Sequence, residues 1–114
     1  MRRIIISIGH ALRGLRGMFA SEPNMRIHLV AALVAIGGGY VLRLSWTEWA
    51  LLVFAMTLVL AAEAMNTAIE VLCDFVHPEH SEAIRRAKDS AAGGVLLCAM
   101  GAVIVAAVLV ASRW

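Results

Sequence analysis

The amino-acid sequence predicts an all-α membrane protein, made of an N-terminal interfacial amphipathic helix followed by three transmembrane helices. Of its 114 residues, 61% are apolar and 16% are charged, a balance far from that of a soluble globular domain. A helix needs about 20 apolar residues to cross the hydrocarbon core of a bilayer. Three stretches approach or exceed this length: residues 29–44, 49–75 and 91–112. The chain length corresponds to a single domain, residues 1–114.

The N-terminal segment is predicted to form a helix over residues 3–20 that lies in the membrane interface. Its apolar residues recur at helical spacing from Ile5 to Phe19, and basic residues occupy positions between them. The charged start resembles that of a signal peptide, but the apolar run ends at Gly9 and no cleavage pattern follows. We therefore expect this segment to remain in the mature protein.

Three transmembrane helices are predicted at about 24–44, 47–75 and 84–112. Pro23 suits the first turn of the first span, because the N–H that proline lacks would have no helical partner there. The three glycines at 37–39 lower helix propensity but allow a neighbouring helix to approach closely. We expect these glycines to be packing residues.

The basic residues indicate which side of the membrane each segment faces. They are concentrated before the first span and between the second and third spans, whereas only Arg43 and Arg113 lie on the other side. Cytoplasmic segments of membrane proteins carry an excess of arginine and lysine. We therefore expect a multi-pass protein whose N-terminus and second loop are cytoplasmic. Separately, we expect no nucleic-acid partner.

A polar face interrupts the second span. At 100° per residue, four polar residues lie within about 80° of one another on the helix: Glu63, Asn66, Glu70 and Asp74. Ionisable groups at membrane depth are costly, and by default they mark a site with a partner close by. The same pattern also occurs where ion pairs only hold helices together. Candidate basic partners are Arg26, Arg85, Arg86 and Lys88.

The depth of these carboxylates separates two chemical roles. Loss of hydration favours the uncharged form of a carboxyl group, which suits a general base acting near neutral pH. Glu63 is the deepest of the set, whereas Glu70 and Asp74 lie nearer the water. The excess of acid over base favours a divalent cation, and magnesium with a phosphate ligand takes only one or two protein carboxylates. The pattern therefore predicts proton transfer at Glu63 and metal binding nearer the water.

Two motifs resemble the signature of the small prokaryotic diacylglycerol kinase and undecaprenol kinase family. They are E-A-M-N-T-A-I-E-x-x-x-D at 63–74 and A-K-D-S-A-A-G at 87–93. The likeness covers nearly the whole chain, including the basic N-terminus, a boundary glutamate, three spans and short loops. It implies a homotrimeric kinase of the bacterial inner membrane that moves the γ-phosphate of ATP onto a lipid hydroxyl at the cytoplasmic interface. It also implies Mg²⁺ as the cofactor.

The resemblance assigns roles to individual residues. Glu63 matches the family's catalytic base, and Asn66 matches its amide partner. Glu22 and Glu70 match its two metal-ligating glutamates. The implied nucleotide contacts are His10, Glu22, Glu70, Glu79, His80, Ser81, Lys88 and Asp89. The implied lipid contacts are Arg3, Glu63 and Ala92, and His10 takes the position of a tyrosine near the adenine in the diacylglycerol kinases.

The lipid substrate is predicted from shorter segments. The stretches ASEPNMRIHLVAA and NTAIE resemble the undecaprenol kinase branch more than the diacylglycerol kinase branch. We therefore expect undecaprenol as the acceptor, with diacylglycerol, giving phosphatidic acid, as the alternative. A non-enzymatic ion or proton carrier and a structural subunit of a larger complex are further alternatives. The absence of an inverted repeat and the pair Lys88 and Asp89 argue against a carrier.

Overall fold

The computed structural model describes all 114 residues as a helical protein without strands. Its four helices are α1 (Arg2–Ser21), α2 (Pro23–Leu42), α3 (Trp46–Val76) and α4 (Glu82–Ala111). Each helix begins and ends within two residues of its predicted bounds. The last three helices are long and apolar enough to cross a membrane. The predicted fold class is therefore confirmed.

Short polar segments define where the helices begin. Between α1 and α2, Glu22 is extended (φ −104°, ψ 111°), and Pro23 opens α2. The start of α3 is a capping box, in which Ser45 Oγ accepts from the Glu48 N–H at 3.2 Å and the Ser45 N–H donates to Glu48 Oε1 at 2.9 Å. Such caps satisfy backbone N–H groups that have no partner within the helix. The capping box therefore fixes the residue at which α3 begins.

One face of α3 supplies most of the buried residues. Only 11 of the 114 residues are buried, and seven of them lie on this helix: Leu52, Ala55, Val59, Glu63, Asn66, Thr67 and Cys73. From Leu52 to Asn66 they are spaced three or four residues apart, and at 100° per residue all seven lie within about 120° of one another, on a single helix face. The buried residues of this face are apolar up to Val59, polar from Glu63 to Thr67, and end with Cys73. The polar residues thus continue the packing face of α3 and are turned away from its lipid-facing surface.

The C-terminal end of α4 is tied to α3. Arg113, which follows α4, donates Nη1–H and Nη2–H to the two carboxylate oxygens of Glu48, at 2.6 and 2.8 Å. Its Nε–H also donates to the Leu42 carbonyl at 3.0 Å. The Glu48 carboxylate raises the pKa of the Arg113 guanidinium above its ordinary value. We call Arg113, Glu48 and the Leu42 carbonyl the Arg113 cluster. It joins α3 and α4 to the end of α2.

A close approach at Gly39 fixes the packing of α2 on α3. A Cβ atom at Gly39 would lie 2.6 Å from the ring of Trp49, whereas a Cβ at Gly37 or Gly38 would meet nothing within 4 Å. The Trp49 ring also packs against Tyr40, with ring centroids 5.0 Å apart. Of the three glycines predicted to pack, only Gly39 has such a neighbour within the chain.

Gly39→Ala is expected to lower the melting temperature of the detergent-solubilised protein. The added methyl group forces Trp49 to move, and overpacking of this kind typically costs about 1–3 kcal/mol. Gly38→Ala is the matched control, because it makes the same change in open space and gains helix propensity. A Gly39→Ala protein that melts at or above the control would contradict the close approach.

Candidate active site

Burial decreases steadily along the polar face of α3. Glu63 is 2% exposed and Asn66 is 6% exposed, whereas Glu70 is half-buried and Asp74 is exposed. The side chains therefore form a path from the interior of the helix bundle to the end of α3. Asp74 is the most exposed of the four and Glu63 the most deeply buried.

The middle of this path contains a hydrogen bond between two predicted site residues. Asn66 donates from Nδ2 to Glu70 Oε1 at 3.1 Å, one turn apart on α3. The other Glu70 carboxylate oxygen forms no hydrogen bond within the chain, so it is free to bind a ligand. Asn66 thus orients the carboxylate that was predicted to bind metal.

Two buried polar atoms at the same level have no partner. They are Asn66 Oδ1 and Thr67 Oγ1. A buried polar atom without a hydrogen bond is costly, and such atoms are often found where a ligand binds. Thr67 was not among the predicted site residues. Its only signal in the sequence is its angular position, about 40° from Glu63 on the helix.

His28 ends the segment Asn24–His28, which is expected from the sequence to shape lipid selectivity around the hydroxyl, but no role in orienting Glu63 is predicted for it. Its Nε2 lies 3.5 Å from Glu63 Oε2, and this contact joins α2 to α3. His28 also lines a cavity of about 220 Å³ between α2, α3 and α4, where the other 11 of the 12 lining residues are apolar. The deepest carboxylate therefore faces an imidazole at the polar end of an apolar cavity.

A polar pocket of about 250 Å³ lies at the loop between α3 and α4. Its nine lining residues include five predicted nucleotide contacts: Glu79, His80, Ser81, Lys88 and Asp89. Ser81 caps α4 by accepting from the Ile84 N–H at 3.2 Å. Arg85, which also lines the pocket, forms ion pairs with Glu82 and, at 2.8 Å, with Asp89. The pocket therefore contains both basic and acidic groups.

An ion pair connects the pocket to the polar face. Lys88 Nζ lies 2.5 Å from Asp74 Oδ1, across the junction of α3 and α4. Lys88 is thus one of the predicted basic partners, and it contacts the polar face of α3. Arg85, another predicted partner, pairs within its own helix. The row of polar residues that begins at Glu63 therefore ends at Asp74, which is paired with Lys88 at the edge of the pocket.

Contacts within the chain do not bring the remaining predicted site residues together. Arg3 and His10 are exposed on α1, and Ala92 is exposed on α4. Glu22 is half-buried between α1 and α2, and its carboxylate forms no ion pair. No three His, Cys, Asp or Glu side chains come close enough together to hold a metal ion by themselves. A metal bound here would need ligand atoms from another molecule.

The helices and the site together define a small multi-pass membrane protein with a carboxylate-lined path and a polar pocket at one end. Residues 9–110 match the family described as prokaryotic diacylglycerol kinase. The chain therefore belongs to the prokaryotic diacylglycerol kinase family, a family of bacterial membrane lipid kinases.

Individual relatives carry two different names. The chain is 37% identical over 103 residues to the diacylglycerol kinase of Synechocystis, an alignment that covers 90% of this chain but only 59% of that protein. It is 31% identical over 105 residues to the undecaprenol kinase of Bacillus subtilis, covering 92% and 85% of the two chains. It is 33% identical over 112 residues to the diacylglycerol kinase of Escherichia coli K12, covering 98% and 92%. The identities alone leave the lipid open.

Proposed function

We propose that this protein transfers the γ-phosphate of ATP to the hydroxyl group of a membrane lipid alcohol, with undecaprenol as the acceptor. The observation that carries the proposal is the ion pair between Asp74 and Lys88. It connects a polar pocket suited to a nucleotide with a face that leads to a buried carboxylate. A water-borne phosphate donor and a lipid hydroxyl need such a meeting place at the membrane boundary.

The chemistry requires positioning, charge neutralisation and a proton acceptor. The lipid oxygen attacks the γ-phosphorus, an O–P bond forms, and the bond from that phosphorus to the β–γ bridging oxygen breaks to release ADP. The hydroxyl proton passes to the Glu63 carboxylate. Lys88 leaves Asp74 to bind a phosphate, and Asn66 holds Glu70 in place.

Magnesium fits the donor set of this site only together with the nucleotide. The chain alone gathers no three metal-binding side chains, but magnesium bound to phosphates takes only one or two protein carboxylates. Glu70 has a free carboxylate oxygen, and Glu22 has no ion-pair partner. When bound, the ion would neutralise negative charge on the transferring phosphoryl group. Glu22 and Glu70 would hold it.

The other site residues receive the roles that the family resemblance implies. Asp89 and the loop residues Glu79, His80 and Ser81 bind the nucleotide together with Lys88, as their shared pocket supports. His10 contributes to the same nucleotide site from α1. Arg3 and Ala92 contact the lipid.

We propose that the protein lies in the bacterial inner membrane with its N-terminus and active site in the cytoplasm. The clustering of basic residues at those segments supports this orientation. We propose a homotrimer, as the family resemblance implies. Large apolar side chains are exposed along all three spanning helices, and Val41, Phe75 and Leu97 are examples. Lipid and neighbouring copies would both cover such surface.

A competition assay tests the proposal and its lipid specificity together. Undecaprenol and diacylglycerol are mixed at equal mole fraction in one micelle with labelled ATP, and the labelled lipids are separated and counted. We expect labelled undecaprenyl phosphate to exceed phosphatidic acid, since poor fit or unpaired polar groups at the hydroxyl cost about 1–3 kcal/mol, or roughly 10- to 200-fold in specificity.

Each other outcome of this assay has a definite meaning. A preference for diacylglycerol of about tenfold or more would establish the alternative substrate, which two of the relatives' names favour. Absence of label in both lipids would refute the kinase itself and leave the carrier and the structural subunit as candidates. A Glu63→Gln protein prepared in parallel shows how much label arises without the proposed base.

A further inference from the structure

The carboxylate of Glu63 has one ion-pair contact within the chain, and it is made to a different helix. His28 of α2 places Nε2 at 3.5 Å from Glu63 Oε2. The Glu63 side chain is 3% exposed, and it has no other ion-pair partner and no hydrogen bond within the chain. A buried carboxylate without partners is strongly unfavourable. The imidazole is therefore the group available to stabilise and orient it.

We propose that His28 is a positioning residue for Glu63, donating its Nε2–H to Oε2 and leaving Oε1 turned toward the lipid hydroxyl. This inference rests on the proposed role of Glu63 as the general base. An acceptor held at one oxygen presents the other in a defined direction, which is how a third group orients the base in many catalytic sites.

The distance agrees with a contact that tightens when substrate binds. At 3.5 Å the two atoms are beyond the 2.7–3.2 Å of a formed N–H···O bond. Catalytic hydrogen bonds are often long in the absence of substrate and shorten in the complex.

The surroundings of His28 leave its ring few other partners. It is the one polar residue among the 12 that line the cavity between α2, α3 and α4, and its side chain is 21% exposed. An apolar wall offers no hydrogen-bond acceptor to the Nε2–H, whereas Glu63 does. A histidine kept only for packing would not need to face the buried carboxylate.

Three substitutions separate the N–H donor from the bulk of the ring. His28→Gln retains an N–H donor at a reach close to that of Nε2, His28→Asn carries the same amide one methylene shorter, and His28→Leu has no donor. We expect kcat to fall about 10- to 100-fold in the Asn and Leu proteins, as for other groups that orient a reacting residue. The Gln protein should stay within about threefold of wild type, and KM for ATP should change less than about twofold in all three.

Two controls make this result specific. Val34→Ala alters an exposed residue of the same helix and should keep wild-type kcat. In the double mutant His28→Leu with Glu63→Gln, residual turnover should equal that of Glu63→Gln alone, because a positioning residue has no effect once its target is gone. Gln and Asn carry the same amide group, so the difference in kcat between these two proteins measures the effect of side-chain length. This comparison holds even if the Leu protein folds poorly.

The proposal is overturned by any of three results. They are a His28→Asn protein with more than about half the wild-type kcat, a Gln protein as slow as the Asn protein, or multiplicative losses in the double mutant. Failure of the underlying function gives a different pattern. Wild-type protein would then label no lipid, or Glu63→Gln would remain active, irrespective of residue 28.

Discussion

Glu63→Gln is expected to abolish lipid phosphorylation while leaving the protein folded. The amide keeps the shape of the side chain and can still accept a hydrogen bond, but it cannot take up the proton of the attacking hydroxyl. A positioned general base typically contributes 10²–10⁴-fold, so kcat should fall by roughly that factor. Turnover is measured with labelled ATP and purified lipid at saturating concentrations of both. KM for ATP should be little changed, since Glu63 lies at the buried end of the path.

The matched control is the same chemical change in the first turn of the same helix, at Glu48. Glu48→Gln weakens the Arg113 cluster and should lower the melting temperature, while the folded fraction keeps its turnover. Glu63→Gln should show the reverse combination, with normal melting and lost turnover. A Glu63→Gln protein with more than about a tenth of the wild-type rate would rule out its role as base.

Glu70→Gln and Glu22→Gln are each expected to raise the magnesium concentration needed for half-maximal activity, by roughly tenfold. Each would remove one proposed charged ligand from a magnesium ion that would also bind the ATP phosphates. In Glu70→Gln the new amide oxygen can still accept from Asn66, so the side chain keeps its orientation. The double mutant should show coupling, because Glu22, at the junction of α1 and α2, and Glu70, on α3, are proposed to hold the same ion.

Asp74→Asn provides the reference for this measurement. It changes a neighbouring carboxylate on the same face and releases Lys88, but it removes no proposed metal ligand. Its half-saturating magnesium concentration should match that of the wild type. If the magnesium curves of both glutamate variants also matched the wild type, the proposed metal site would have to be withdrawn.

The features that sequence predicted well are those that depend on one helix at a time. Hydropathy located the three spanning helices, and helical angles placed Glu63, Asn66 and Glu70 on one face. The Asn66–Glu70 hydrogen bond joins residues one turn apart, so it follows from the same periodicity. Local geometry is encoded in spacing, and spacing can be read directly from the chain.

The features that sequence could not predict depend on how the helices rotate against one another. The contact between His28 and Glu63 spans 35 positions along the chain, and no periodicity relates residues on different helices. Which of the three glycines contacts Trp49 depends on how α2 packs on α3, and in the structure it is Gly39. Thr67 was missed for another reason. A threonine in a spanning helix commonly bonds to its own backbone, as Thr57 does to the Val53 carbonyl, so its free hydroxyl is visible only in the structure.

The two ion pairs that join α3 to α4 set a length as well as an orientation. In each helix about 25 residues separate the pair at one end from the pair at the other, a span of about 38 Å at 1.5 Å per residue. This is close to the roughly 40 Å thickness of a bilayer with its headgroups. A single inserted residue between the pairs would rotate one helix end by about 100° and separate its charged partners. Insertions and deletions should therefore be tolerated in the loops but excluded from both helices between their ion pairs.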